Sequence, residues 1–166
     1  MNFMEKLTDN FLLAQEIRTR MVETGKTLST AESCTSGRIA ATLTQVPGAS
    51  DYFQGGLIAY QDYLKVRYLD VRQEDIDTYD VVSQPVVEQM VQGACRLFQT
   101  DYAIASTGYA GTGDNGVPSG TIWIGWGSAQ EVHSICLTHD EGRELNTAHA
   151  TTQALEHFLG FVKETY

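Results

Sequence analysis

The chain has 166 residues, 42% of them hydrophobic and 19% charged, which is enough for one domain with a substantial core and too few for two ordinary ones. A formal net charge of −10 turns most of the surface against nucleic acid, and no Lys/Arg cluster interleaved with aromatics offsets it. No 18-residue apolar run could cross a membrane, and Met1 to Arg20 breaks its apolar residues with Glu5, Asp9 and Glu16, so a soluble, cytoplasmic chain without a signal-peptide core is expected.

In chain order, helices and strands alternate. Phe3, Leu7, Phe11, Ile17 and Met21 recur near three-to-four spacing, which predicts an amphipathic helix over residues 1–24 that ends before Gly25 and packs on the sheet. Thr27 to Ala31 reads as the first strand, followed by a helix from about Thr35 to Thr44 and a turn at Pro47 and Gly48. Gly55 to Tyr60 is a second strand. Asp62 can cap a helix through Leu64, Val66 and Leu69; Ser83 and Pro85 open another, with Val86, Met90, Val91, Ala94, Leu97 and Phe98 on its apolar side. Tyr102 to Thr107 is a strand of small residues running into a loop, Gly108 to Gly116, too glycine-rich to be packed core. Gly120 to Gly127 and Val132 to Leu137 alternate as a hairpin, and Arg143 to Tyr166 is a closing helix with Leu145, Ala148, Leu155, Phe158 and Val162 inward. With no repeats, low-complexity tracts or linkers, residues 1–166 are expected to form one α/β domain of three layers, α/β/α.

The stretch from Ser29 to Gly37 carries the densest chemistry. Small polar residues fall where the first strand turns into a helix, and a helix start offers unpaired N–H groups and a positive dipole end to a phosphate or an oxyanion. Ser33, Cys34, Thr35 and Ser36 set three hydroxyls and a thiol there; a simple helix cap at Ser33 or Thr35 is the competing reading. A serine nucleophile needs a base, and no Ser/His/Asp triad spacing is readable. A desolvated lysine can serve, because burial disfavours its charged form. Lys65 follows the second strand, and in a parallel sheet that strand's C-terminal end shares an edge with the turn at Ser33. The alternative is a solvated surface lysine. Cys34 competes with Ser33 as nucleophile, since a helix start would lower its pKa, and buried packing is its other reading. The three cysteines, Cys34, Cys95 and Cys136, form no CxxC pair, and His133, His139, His149 and His157 have no metal-ligand spacing, so reduced thiols and neither metal nor cofactor are expected.

Thr30 to Gly37, Tyr60 with Lys65 five residues on, Val82-Ser83, and Ser106 to Gly111 together resemble the CinA C-terminal family, over about Leu12 to Leu159. That family includes stand-alone nicotinamide-nucleotide amidases. The resemblance implies hydrolysis of the carboxamide of nicotinamide mononucleotide to nicotinate mononucleotide and ammonia, with no metal. It implies Ser33 as nucleophile in preference to Cys34, Lys65 as the base that takes its proton, and Tyr60 supporting the lysine. Backbone N–H groups from Ser33 to Thr35 would receive the oxyanion, with Cys34, Thr35, Ser36 and Gly37 against the substrate, Thr107 and Gly108 on the opposite wall, and Arg143 on the phosphate. Departures from the family pattern are Ser36-Gly37 in place of a Gly-Gly pair, Asp62 in place of an asparagine, a shorter loop before Gly120 without its lysine, and Thr147 and His149 where a further arginine is usual. These leave a second expectation open, a non-catalytic relative that binds a nucleotide or a protein. A DNA-processing role has no basic surface behind it. The partner expected is a small pyridine nucleotide, with no nucleic acid and no membrane, in a homo-oligomer.

Overall fold

The computed structural model describes residues 3–166, with the side chains of Glu5 and of residue 9 onward. The first helix, α1 (Phe3–Thr24), buries Ala14, Ile17 and Met21 and stops at Gly25, whose φ of 66° lets the Lys26 N–H reach back to the Met21 carbonyl. The inward placing of Phe3 and Leu7 lies outside the described side chains. After α1 come β1 (Leu28–Glu32), α2 (Arg38–Thr44), a single 3-10 turn at Ala49–Asp51, β2 (Phe53–Ile58) and α3 (Asp62–Leu69). Then follow α4 (Gln73–Tyr79), α5 (Gln84–Phe98), β3 (Tyr102–Gly108), β4 (Ile122–Gly127), β5 (Val132–Leu137) and α6 (Arg143–Thr165).

The five strands form one sheet in the order β2-β1-β3-β4-β5. Strands β1, β2 and β3 run parallel, and β4 and β5 return antiparallel as the expected hairpin. Alternation along β1 and β3 gives the sheet two different faces. Leu28, Tyr102 and Ile104 meet Ile39 and Leu43 of α2, Ile17 and Met21 of α1 and Phe158 of α6 in one apolar cluster. On the other face Ala31, Ala103 and Ala105 leave room for Val86, Val87, Met90 and Val91 of α5 and Leu69 of α3. A mixed α/β domain with helices on both faces results, as the sequence pattern leads one to expect.

Register decides where the chemistry collects. Glu32 pairs with Ile58 on one side and with Ser106 on the other, so Ser33, the Ala59-Tyr60 segment and Thr107-Gly108 all leave the sheet at the same edge.

Several local expectations need correction. Helix α2 starts at Arg38 and not near Thr35, because Ser36 and Gly37 take positive φ (51° and 87°) and hold the chain in a turn. Asp62 is the first residue of α3, flanked by Gln61, so it is not the cap. Helix α4 has no counterpart in the sequence reading. Leu97 and Leu145 are exposed, and the inward positions at the start of α6 are Asn146 and Thr147.

Candidate active site

Ser33 is the first residue beyond β1, and its N–H donates to the Ser106 carbonyl at 3.0 Å, which fixes the turn to β3. The left-handed pair Ser36 and Gly37 then redirects the chain into α2; a side chain at Gly37 would stand 3.1 Å from Ile58 Cδ1. This turn changes what the helix start can bind. The Glu32 carboxylate, only 1% exposed, accepts the N–H groups of Ile39 (2.9 Å) and Ala40 (3.0 Å) and the Thr35 hydroxyl (2.7 Å). The first N–H groups of α2 are therefore closed by the chain's own acid and offer an anion no seat.

Lys65 lies in the first turn and a half of α3 and is 1% exposed. Its Nζ reaches the Ala59 carbonyl at 2.8 Å, Ser33 Oγ at 3.1 Å and Asp62 Oδ1 at 3.7 Å. Burial pulls the lysine below its ordinary value, with the Asp62 carboxylate pulling the other way. The two groups read as nucleophile and base thus meet within hydrogen-bond distance, and the surface-lysine alternative falls.

Cys34 is buried beside them, and desolvation pushes its thiol up to about 12 against a lowering contact from Ser106. The activating helix start expected for it is missing, so the sulfur stays protonated near neutral pH.

A pocket of about 190 Å³ opens over this pair. Of the expected site residues Ser33, Cys34, Tyr60, Lys65, Thr107, Gly108 and Arg143 line it, and Thr35, Ser36 and Gly37 do not. Thr35 is fully buried, its hydroxyl shared between Glu32 and Ser106 (2.7 Å each), and Ser36 folds back to the Ser33 carbonyl. Tyr60 is 52% exposed at the pocket mouth, and the described contacts of Lys65 come from Ala59, Ser33 and Asp62 rather than from its hydroxyl. The Thr107 hydroxyl donates to the Val81 carbonyl at 3.0 Å, and Gly108 passes so close to Ile122 that a Cβ would lie 2.6 Å from it. Arg143 sits at the first position of α6 against Gly111, where a Cβ would come within 2.9 Å of Nε. The site carries two cations, Lys65 at its floor and Arg143 at its wall, and one carboxylate, Asp62.

Sequence reasoning gave no role to Glu32, Ser106, Asp80 or Asn146. Asp80 accepts the Tyr109 hydroxyl (2.9 Å), the Val82 N–H (2.8 Å) and the Asn115 amide (3.1 Å), which ties the glycine-rich loop to the segment before α5. Asn146, buried in α6, donates to the Ala110 carbonyl (2.7 Å) and to Asp140 (2.8 Å) and accepts the Glu141 N–H (2.9 Å). A buried-facing asparagine one turn into a helix was the available signal. A wider groove of about 650 Å³ adjoins the pocket through Asp62, Val81 and Tyr109 and carries Asp77, Asp80 and Asp114. Another, of about 420 Å³, lies at Trp126, His133 and the C-terminal half of α6 and shares no residue with the site. Among the described residues no cluster of three His, Cys, Asp or Glu side chains could hold a metal, and no helix is long and apolar enough to span a membrane.

A three-layer α/β/α domain with a buried lysine on a serine at the C-terminal edge of its parallel strands defines the class. The chain belongs to the CinA C-terminal domain family, whose model matches residues 10–162. It is 41% identical over 128 residues to a "Nicotinamide-nucleotide amidohydrolase PncC" of Shewanella oneidensis, covering 76% of this chain and 30% of that protein. A protein of the same name from Pseudomonas putida is 37% identical over 134 residues, covering 80% of this chain and 84% of that one. The chain thus spans about a third of the length of the Shewanella relative and most of the Pseudomonas one. Among solved structures, the competence damage-inducible protein A (ComA) of Klebsiella pneumoniae superposes with a TM-score of 0.88 at 31% identity, over 91% of this chain and 95% of that one.

Proposed function

We propose that the chain hydrolyses the carboxamide of a pyridine nucleotide, nicotinamide mononucleotide first, to the carboxylate and ammonia, with Ser33 as nucleophile and Lys65 as base. The observation that carries this reading is the 3.1 Å contact between a buried lysine and a serine hydroxyl in the pocket. Relatives named nicotinamide-nucleotide amidohydrolase support the choice of substrate.

Nζ donates to Ser33 Oγ and to the Ala59 carbonyl; once the amine is neutral the first bond reverses, the lone pair accepting the Ser33 hydroxyl hydrogen while an N–H stays on Ala59. Lys65 takes the hydroxyl proton as Oγ attacks the amide carbon, then returns it to the departing nitrogen, which leaves as ammonia. Water, losing its proton to the same Nζ, releases the acid from Ser33. The Ser33 N–H is bound to Ser106, so of the turn's N–H groups the oxyanion falls to that of Cys34, which lines the pocket and among the described residues donates to no backbone carbonyl. Each such donor is worth about 3–4 kcal/mol in comparable hydrolases. Arg143 takes the phosphate as a charge-assisted partner.

The test is ammonia release from nicotinamide mononucleotide, nicotinamide riboside and nicotinamide, assayed side by side. The nucleotide should be preferred; Ser33→Ala should lose at least about a thousandfold in kcat, and Cys34→Ala should keep most of it. Hydroxylamine should trap the acyl group from wild type. No release from any of the three sinks the proposal and favours a binding role; equal loss in both variants undoes the assignment of Ser33 as nucleophile.

A further inference from the structure

Asp62 supplies the carboxylate of the pocket. It sits on the first turn of α3, three residues before Lys65, with its side chain 57% exposed and Oδ1 3.7 Å from Nζ. It caps nothing, since Gln61 holds the flanking position without a side-chain bond. The other two neighbours of Nζ are neutral: the Ala59 carbonyl holds the amine in place and Ser33 is the reacting group.

We infer that Asp62 is a positioning residue that sets the charge of Lys65: its carboxylate holds the ammonium formed when Nζ takes the Ser33 proton, and so fixes the pH range over which Ser33 is activated. This rests on Lys65 acting as the base. The proton moves from Oγ to Nζ and on to the leaving nitrogen, and Asp62 takes no part in the transfer.

The remaining groups around Nζ do not replace it. From the turn after β1 comes the Cys34 thiol, held protonated by burial; Glu32 beneath it is bonded to α2. Tyr60 is at the mouth, and Tyr109 donates its hydroxyl to Asp80 with its own value pushed up to about 12. Arg143 faces the pocket from α6. Helix α5, packed on α3, brings Arg96 only to the far end, where it meets Asp70 and the Leu69 carbonyl. Burial alone therefore drives Lys65 toward the neutral form, and Asp62 is the largest influence against it.

Two effects of opposite sign follow. The carboxylate keeps more of Lys65 protonated at rest, which slows the reaction at low pH. It also makes the amine a stronger base, which raises the plateau. Asp62→Asn should move the rising limb of kcat/KM to lower pH. The variant should be about threefold to tenfold faster than wild type on that limb and slower on the plateau, so the two profiles cross. A purely structural role, such as the favourable place of an acid in a helix's first turn, would lower the rate equally at every pH and leave the midpoint alone.

A second measurement needs no turnover. In substrate-free protein carrying 13C-labelled lysine, the Lys65 Cε resonance should titrate at lower pH in Asp62→Asn and Asp62→Ser than in wild type, and Asp70→Asn should leave it unmoved. An unchanged Lys65 midpoint in the two Asp62 variants overturns the inference even in an active enzyme. A lowered midpoint in a protein that releases no ammonia keeps the assignment of Asp62 and removes the proposed reaction instead.

Discussion

Both carboxylate oxygens of Glu32 are bonded inside the chain, to two helix N–H groups and a hydroxyl, and the same residue pairs with Ser106 in the sheet. It anchors the turn that presents Ser33 without touching the pocket. Glu32→Ala should therefore destabilise the fold by about 1.5–3 kcal/mol, since charged hydrogen bonds vanish and buried donors are left open. Ser33→Ala should leave the unfolding midpoint near that of wild type, and thermal denaturation of the two variants separates anchoring from chemistry. Lys65 gives the second residue-level prediction. Its value lies below the ordinary 10.5 because of burial. The neutral base thus forms at lower pH than for a free lysine, and kcat/KM should rise with pH through an apparent pKa under 10.5. Lys65→Arg should be inactive across that range, because a guanidinium holds its proton. That Ser33 and Lys65 could meet was legible from the strand ends, and the pairing of the two as nucleophile and base came from the family resemblance; the 3.1 Å contact bears out the meeting. The role of Glu32 was not legible, because its reach to Ile39 and Ala40 depends on the left-handed turn at Ser36 and Gly37, which no periodicity reveals.

The buried stripe of an apolar helix was legible apart from its ends, as Leu97 of α5 shows, whereas helices that bury polar groups were missed or misplaced. Helix α5 shows Val86, Val87, Met90, Val91 and Ala94 to the sheet, and its sequence says so. Helix α4, Gln-Glu-Asp-Ile-Asp-Thr-Tyr in sequence, offers no stripe; it is held by Asp75, which pairs with Arg72 at 2.7 Å and accepts the Gln89 amide at 2.8 Å. The first turns of α6 bury Asn146, Thr147 and Thr151, with both threonine hydroxyls bonded back to the helix's own carbonyls, so Leu145 was mistaken for the inward position. That same start of α6 aims Arg143, and Asn146 clamps the glycine-rich loop against it. Arg143→Ala should raise KM for nicotinamide mononucleotide by roughly ten- to a hundredfold while the riboside barely changes. Gly111→Ala should act in the same direction with less effect, because its methyl group would displace the guanidinium stem and remove no charge. Equal KM changes for nucleotide and riboside would place the phosphate elsewhere.

Across the whole molecule, the site depends on two layers that meet it from opposite faces of the sheet. Ser33 is carried by β1 and braced through Glu32 by α2, on the face shared with α1 and α6. Lys65 is carried by α3, on the face covered by α5. The alternation of strands and helices makes this division readable in advance, but the spacing between layers is set by glycines whose meaning appears only in three dimensions. Gly93 of α5 is the decisive one: a Cβ there would stand 2.1 Å from the Leu69 carbonyl, so α3 and α5 touch backbone to backbone. Leu69 is one turn from Lys65 on the same helix, and no flexible side chain lies between to absorb the clash. Gly93→Ala must push α3 outward and carry Nζ with it, at a cost of about 1–3 kcal/mol for overpacking. Because a nucleophile and base separated by even about 1 Å lose on the order of a hundredfold in rate, activity should fall far more than stability. Measured well below its melting temperature, the variant should remain folded by circular dichroism yet show kcat reduced at least about tenfold, with KM little changed because Arg143 is held by the other layer. A variant that loses stability but keeps wild-type kcat would show that α3 holds Lys65 in register independently of α5.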